Sequence, residues 1–308
     1  MTCKTFTHIG KYTLAEFDGL CRQIVREMAQ GILRDFDSAE VMSKTGYDGV
    51  KDSDVVTTAD LNAQQRLVAF AQAMLPPELG LIGEEGDLRR PSTFDGYTVI
   101  LTADPLDGTR TFVEAKKTGR SLHPGQVSVM LGLLVQGTAV AGYICDVASL
   151  TTYYRAPFGE TVWQVDSNGA KIDIATLPRL DSLASGYLLW HGTRPAKSPL
   201  TQRLVDSAIF GQVKRDMSSI GLSVMRTFDG RCIGMLRSAG GYITPWDDAP
   251  IQALCNQGDV VVLKLNHDYA KMTTLDPFDQ TTPRDFDILY IPRWFLPELQ
   301  EHVSVLSL

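Results

Sequence analysis

The densest chemical signal in this chain is the hexamer Asp104-Pro105-Leu106-Asp107-Gly108-Thr109. Two carboxylates three apart, with Pro105 fixing φ between them, can turn toward one point, and Gly108-Thr109 opens the next segment with free backbone N–H groups. That suits a phosphate or a metal ion, and the same residue types also suit a surface turn. Upstream stands Gly83-Glu84-Glu85-Gly86; downstream, Asp247 follows Trp246 at the start of a helical pattern. Each alone reads as a solvated acid or a helix cap. Taken together, Glu84, Asp104, Asp107 and Asp247 are the hard oxygen donors that Mg2+ takes alongside waters and substrate oxygens.

Competing chemistries lack their marks. There is no Walker-type loop, no His-Glu-x-x-His and no Gly-x-Ser-x-Gly elbow. The five histidines are scattered, and His123 and His191 read as ordinary surface or core residues. An aspartyl-phosphate mechanism needs an Asp nucleophile. The haloacid-dehalogenase-type phosphatases space their two Asp residues by two, whereas Asp104 and Asp107 are three apart.

The elements that must position these residues are legible in part. Thr13 and Glu16 have capping-box spacing, and Leu14, Phe17, Cys21, Ile24, Met28 and Ile32 recur at helical intervals. Asp54-Val55-Val56-Thr57 leads into a second helix, from about Asp60 to Met74, stopped by Pro76-Pro77. Strands are predicted at Leu79 to Gly83 and Tyr97 to Thr102, so that carboxylates follow two strand ends. Val127 to Val147 reads as a hairpin turning at Gln136-Gly137.

The second half alternates predicted strands (Gly186 to Trp190, Cys232 to Leu236, Asp259 to Lys264, Ile288 to Ile291) with helices (Ser198 to Phe210, Ser219 to Phe228, Trp246 to Asn256, Pro297 to Val303), a pattern of layered α/β structure. The expected boundary is near Leu150, giving a first half of residues 1–150 with most of the acids and a second of 151–308 with Asp247.

With 308 residues and 44% hydrophobic content, the chain can bury a substantial core. A net charge of -7 disfavours a nucleic acid polymer as partner but leaves a small phosphorylated ligand open, because bound cations reverse the local sign. Five dispersed cysteines without a Cys-x-x-Cys pair read as reduced thiols, and the start carries no apolar signal stretch, so a cytoplasmic location without membrane insertion is expected.

The order Asp54-x-Val56-Thr57, Gly83-Glu84-Glu85, Asp104-Pro105-Leu106-Asp107-Gly108-Thr109, Trp246-Asp247 resembles the inositol monophosphatase superfamily over roughly residues 10 to 260. The resemblance implies a layered α-β-α-β-α sandwich and a Mg2+-dependent phosphomonoesterase using two or three ions. By position, Glu84, Asp104 and the Leu106 carbonyl would bind one ion, Asp104, Asp107 and Asp247 a second, with a third near Glu84. Thr109 and Asp54 would orient and deprotonate the attacking water, and the Gly108 and Thr109 N–H groups would hold the phosphate. Lithium inhibition is expected, and either a monomer or a homodimer.

The Leu106 and Arg110 variants of the motif stand nearer the 3'(2'),5'-bisphosphate nucleotidases, and no carboxylate lies in Ser238 to Pro245, where inositol enzymes carry one. A bisphosphate nucleotide is therefore favoured over inositol phosphate, sugar phosphate or histidinol phosphate, with Arg110 and Glu85 as candidate substrate contacts. Glu114 to Arg120, after the phosphate loop, is longer than the family pattern. The alternative of a different class is a non-catalytic protein that binds a phosphorylated metabolite; Asp54 and Thr109, which serve the water rather than the phosphate, favour catalysis.

Overall fold

The computed structural model describes residues 6–44, 54–85, 88–191, 198–228, 230, 232–238, 244–255, 259–265 and 286–306. Gly86, residues 239–243 of the acid-free stretch and Asn256, the expected end of one helix, lie outside them. A short ribbon of β1 (His8–Ile9) and β2 (Tyr12–Thr13) leads into α1 (Leu14–Asp35), capped by the Thr13–Glu16 box. Phe17, Cys21, Ile24, Met28 and Ile32 are all buried along one stripe of α1. A second ribbon pairs β3 (Val41–Lys44) with β4 (Asp54–Thr57), and α2 (Thr58–Met74) follows directly.

The remaining strands of the first half are β5 (Gly80–Gly83), β6 (Arg89–Arg90), β7 (Val99–Asp107), β8 (Ser128–Val135), β9 (Thr138–Asp146), β10 (Thr152–Arg155), β11 (Trp163–Val165) and β12 (Lys171–Asp173). They form one eight-stranded sheet in the order β12-β11-β10-β9-β8-β7-β5-β6, with α3 (Thr109–Lys117) leaving the end of β7. The predicted hairpin is β8–β9, and Gln136 and Gly137 both take positive φ in its turn. Leu150 falls in the turn before β10, and the sheet continues to Asp173.

A five-stranded sheet follows, built from β13 (Tyr187–His191), β14 (Gln212–Asp216), β15 (Cys232–Arg237), β16 (Val260–Leu265) and β17 (Asp287–Pro292), ordered β14-β13-β15-β17-β16. Between and after these strands run α4 (Pro199–Asp206), α5 (Ile220–Met225), α6 (Pro245–Cys255) and α7 (Leu296–Leu306). The core divides accordingly. One cluster joins α1 and α2 to the first sheet; a second joins Met130 and Ile144 of that sheet to α5, α6 and the second sheet; a third joins the second sheet to α4 and α7. The result is the expected α-β-α-β-α stack.

The middle layer fits closely because Gly132 and Gly142 pair across β8 and β9 under Pro250 of α6. A Cβ on Gly142 would run into the Pro250 carbonyl oxygen. None of the helices among the described residues is long and apolar enough to cross a membrane.

Candidate active site

Asp104 and Asp107 do not follow a strand end as expected; both lie within β7. Asp104 pairs with Met130 and Asp107 with Ser128, so three steps on β7 span two on β8. That extra residue is a bulge at Pro105, which has no N–H to give the ladder. In an unbroken strand, side chains three apart point to opposite faces. The bulge restores them to one face, and both acids are buried there, Asp104 at 3% and Asp107 at 8% exposure. Asp104 Oδ1 accepts the Leu106 N–H at 2.9 Å. Parallel pairing of β5 with β7 sets Gly83 beside Ala103, and the Glu84 N–H bonds the Ala103 carbonyl at 3.0 Å, so Glu84 arrives next to Asp104.

The start of α5 covers Asp107 from the second half of the chain. Ser219 Oγ donates to Asp107 Oδ2 at 2.5 Å, Gly221 N–H to the same oxygen at 2.9 Å, and Ile220 N–H to Oδ1 at 3.2 Å. Gly108 follows at φ +94°, and a Cβ there would meet the Gln126 carbonyl oxygen at 2.7 Å; only glycine suits both constraints.

Thr109, the first residue of α3, does not meet Asp54. Its hydroxyl lies 3.0 Å from Asp60 Oδ1 and 2.9 Å from the Leu106 carbonyl oxygen. Asp60 is fixed by the capping box of α2: its Oδ2 accepts the Thr57 N–H at 2.8 Å and the Thr57 hydroxyl at 2.5 Å. Asp54, at the start of β4, accepts the Val55 N–H and faces Arg110 across 3.6 Å. The physical difference is rigidity, since a cap locks Asp60 inward at 1% exposure while Asp54 sits on a two-stranded ribbon. Asp60 is absent from the expected site, although its signal, Thr57-x-x-Asp60, stands in the sequence as a helix start.

Cations of the chain hold the two ends of the acid row. Lys44 Nζ contacts Glu84 Oε1 at 2.9 Å and Glu85 Oε1 at 2.6 Å. Glu85 is thus turned to Lys44 and buried at 3% exposure, with its backbone bracketed by the Gln64 side chain. At the other end, Arg237 Nη2 contacts Asp247 Oδ2 at 2.9 Å and Nη1 contacts Asp248 Oδ1 at 3.4 Å. Thr244, just before α6, donates its hydroxyl to Asp247 Oδ2 at 2.7 Å. Arg110 is largely exposed at the start of α3. Within the long segment after it, Lys116 bonds the Phe36 and Asp37 carbonyls at the end of α1, a structural tie.

Burial, then the charges of Glu84, Asp107 and Asp247, push Asp104 well above the usual carboxylate range. Asp107 is pushed up to about 7 by burial and Asp247, against the lowering bonds of Ser219, Gly221 and Ile220. Burial raises Asp60 to about 6, against the hydrogen bonds of Thr57 and Thr109, and burial with Glu84 raises Glu85 to about 7 against Lys44.

Among the described residues, no three acidic, histidine or cysteine side chains already stand within reach of one ion. Asp104 nevertheless feels the charges of Glu84, Asp107 and Asp247, while Glu84 is paired with Lys44 and Asp247 with Arg237. A group of carboxylates in which buried Asp104 and Asp107 are held back from ionising, with only oxygen donors, fits a hard divalent cation, which relieves that penalty. The arrangement can hold a phosphate near Gly108 and move a proton through Thr109 to Asp60.

The sequence profile of the inositol monophosphatase family matches residues 14–280. No curated protein sequence matches the chain. Among solved structures, an IMPase/NADP phosphatase complexed with NADP and Ca2+ is 19% identical, with a TM-score of 0.68 over 94% of this chain and 96% of that one. The extragenic suppressor protein suhB from Bartonella henselae is 17% identical, with a TM-score of 0.68 over 92% and 97%. Staphylococcal inositol monophosphatase-1, in a LiCl-soaked inhibitory complex, is 18% identical, with a TM-score of 0.69 over 94% and 95%. At such identities the likeness is one of fold.

Proposed function

Since this chain belongs to the inositol monophosphatase family and is a metal-dependent phosphoric monoester hydrolase, we propose that it removes a phosphate from a small phosphorylated metabolite, with a 3'(2'),5'-bisphosphate nucleotide as the leading substrate. The observation that carries catalysis over mere binding is the 3.0 Å bond between the Thr109 hydroxyl and buried Asp60, beside Asp104 and Asp107. A phosphate receptor needs the acids and the Gly108 loop; it has no use for a buried hydroxyl–carboxylate couple.

Glu84, Asp104, the Leu106 carbonyl, Asp107 and Asp247 would hold two Mg2+ ions, with a third near Glu84. When bound, such ions neutralise phosphoryl charge and lower the pKa of water from about 15.7 toward about 7. The chain's own residues do the rest. The Gly108 and Thr109 N–H groups orient the phosphate at the start of α3. Thr109 aligns the attacking water and passes its proton toward Asp60 Oδ1, while Thr57 keeps that carboxylate aimed. Ser219 and the Ile220 and Gly221 N–H groups hold Asp107 in place.

The nucleotide reading is supported by exposed Arg110 near the phosphate loop and by the absence of any carboxylate from Ser238 to Pro245. Inositol phosphate is the second reading, favoured by the structural relative bound with D-inositol-1-phosphate. Phosphate release with Mg2+ from adenosine 3',5'-bisphosphate, inositol 1-phosphate, fructose 1,6-bisphosphate and histidinol phosphate tests both. Fastest turnover of the nucleotide is expected, suppressed by lithium and abolished in Asp104→Asn. Binding of all four without turnover would overturn catalysis in favour of sensing.

A further inference from the structure

Arg226, the residue that closes α5 after Met225, ties the two halves of the chain together. Its Nη2 donates to the Gly125 carbonyl at 2.9 Å, and its Nη1 contacts Asp216 Oδ2 at 3.1 Å. Gly125 belongs to the loop before β8 in the first half, and Asp216 ends β14 in the second. Both anchor points are held from other sides as well. Asp146 Oδ2 accepts the Gly125 N–H at 2.5 Å. Asp216 Oδ1 accepts the Ser218 N–H at 3.0 Å and the Ser218 hydroxyl at 2.6 Å, and its Oδ2 accepts the Ser223 hydroxyl at 2.8 Å. Against its burial, these donors and the charge of Arg226 hold Asp216 below the usual carboxylate range. Gly125 takes φ +87°, and a Cβ there would strike Arg226 Nη2, so the approach of the guanidinium requires glycine.

The supports of Asp107 and of the phosphate loop hang from this clamp. The carbonyl of Gln126, next to Gly125, accepts the Ser219 N–H at 2.8 Å, and its oxygen is the atom that a Cβ on Gly108 would meet. Ser219 caps α5 by accepting the Leu222 N–H, and donates its hydroxyl to Asp107 Oδ2; the Ile220 and Gly221 N–H groups bond Asp107 beside it. A helix of six residues is not stable by itself, so the place of α5 depends on what ties its ends. Ser219 ties the first end and Arg226 the last. A guanidinium suits the second task because its planar fork donates in two fixed directions at once. Resting on the reading that Asp107 is a cation ligand, we infer that Arg226 is a positioning residue of the site: by bridging Gly125 and Asp216 it sets Gln126 against Ser219, and so aims the donors of α5 at Asp107. It acts through those two partners rather than on the substrate.

Arg226 also lines a cavity of about 410 Å3, together with Gly125, Asp146, Tyr153, Tyr187 and Leu222. That opening allows the lost group to be given back. In the full chain, Arg226→Ala is expected to weaken MnCl2 binding about tenfold in calorimetric titration below the melting temperature, the lower end of what outer partners of metal ligands contribute. Methylguanidinium, entering by the cavity, should restore most of that affinity. Methylammonium, with the same charge and no fork, should not. Arg22→Ala, which removes an ion pair with Asp18 within α1, is the control and should leave Mn2+ affinity unchanged. If the truncated variant fails to fold, Arg226→Lys keeps the charge without the fork and should weaken Mn2+ binding severalfold.

A lower melting temperature with unchanged Mn2+ affinity, in Arg226→Ala or in its lysine substitute, makes the clamp merely structural and overturns the inference. Rescue by both small cations or by neither overturns it too, as does an equal loss of affinity in Arg22→Ala. If Asp104→Asn removes Mn2+ binding while Arg226→Ala leaves it unchanged, only the Arg226 inference falls. If the unmodified protein and Asp104→Asn bind Mn2+ alike or not at all, the site assignment falls with it.

Discussion

At the scale of the residue, the partner of Thr109 decides which carboxylate would receive a proton in the proposed reaction. Asp60 is buried, capped and in contact, whereas Asp54 faces Arg110. Thr109→Ala and Asp60→Asn should each lower kcat by about 10²–10⁴-fold, the usual worth of a general acid–base group. Asp54→Asn should lower it less, and steady-state kinetics showing the reverse ranking would return the role to Asp54.

The raised acids also set a pH dependence. Asp107 and Glu85 at about 7 and Asp60 at about 6 bind protons more tightly in the native than in the unfolded chain. Their stabilisation is complete below the ordinary carboxylate range and is lost as pH rises through about 6 to 7. Metal-free protein should therefore melt lower as pH rises through that window, and Asp60→Asn should flatten part of the slope. Mg2+ binds the deprotonated acids, so its stabilising shift should grow in the same direction. Calorimetry in chelator and in Mg2+ checks both signs.

At the scale of the element, the site depends on three local devices: the bulge in β7, the cap of α2 and the close seat of α6. Thr57→Ala removes a cap and should cost about 0.5–2 kcal/mol in urea unfolding. It should also depress kcat, because Asp60 loses both Thr57 bonds that depend on the hydroxyl or its geometry. A cap that mattered only to the helix would leave kcat unchanged. Gly142→Ala drives a methyl into the Pro250 backbone, and overpacking of this kind costs about 1–3 kcal/mol. Since α6 carries Asp247, Mg2+ affinity should fall with stability there; an exposed control, Gly169→Ala, meets no neighbouring atom but has positive φ and should lose stability alone.

At the scale of the whole molecule, the middle core cluster takes side chains from both sheets, and Asp107 of the first half is bonded by Ser219, Ile220 and Gly221 of the second. Ligand energy is therefore shared by both halves. Thermal unfolding should show one transition, which Mg2+ moves as a unit. Ser219→Ala should shrink that shift while leaving a folded protein. Two transitions, with only one responding to Mg2+, would mean that the halves are energetically separate.

The sequence by itself determined the helices other than α3, most of the buried strands, the acidic motif and the family, because each is written in local periodicity, turn chemistry or residue order. It also located Asp104 and Asp107 as a pair, without the bulge that turns them to one face. The short strands β10 to β12 and the edge strand β14 escaped it, since three- to five-residue strands such as half-exposed Gln212–Asp216 carry too little apolar alternation to be read. So did the pairing of Thr109 with Asp60 and of Asp247 with Arg237. These join residues 49 and 10 positions apart through the packing of separate elements, and no spacing rule connects them. Local interactions choose elements, but which charged groups finally face one another depends on how the layers close around the site, and that only the tertiary structure decided.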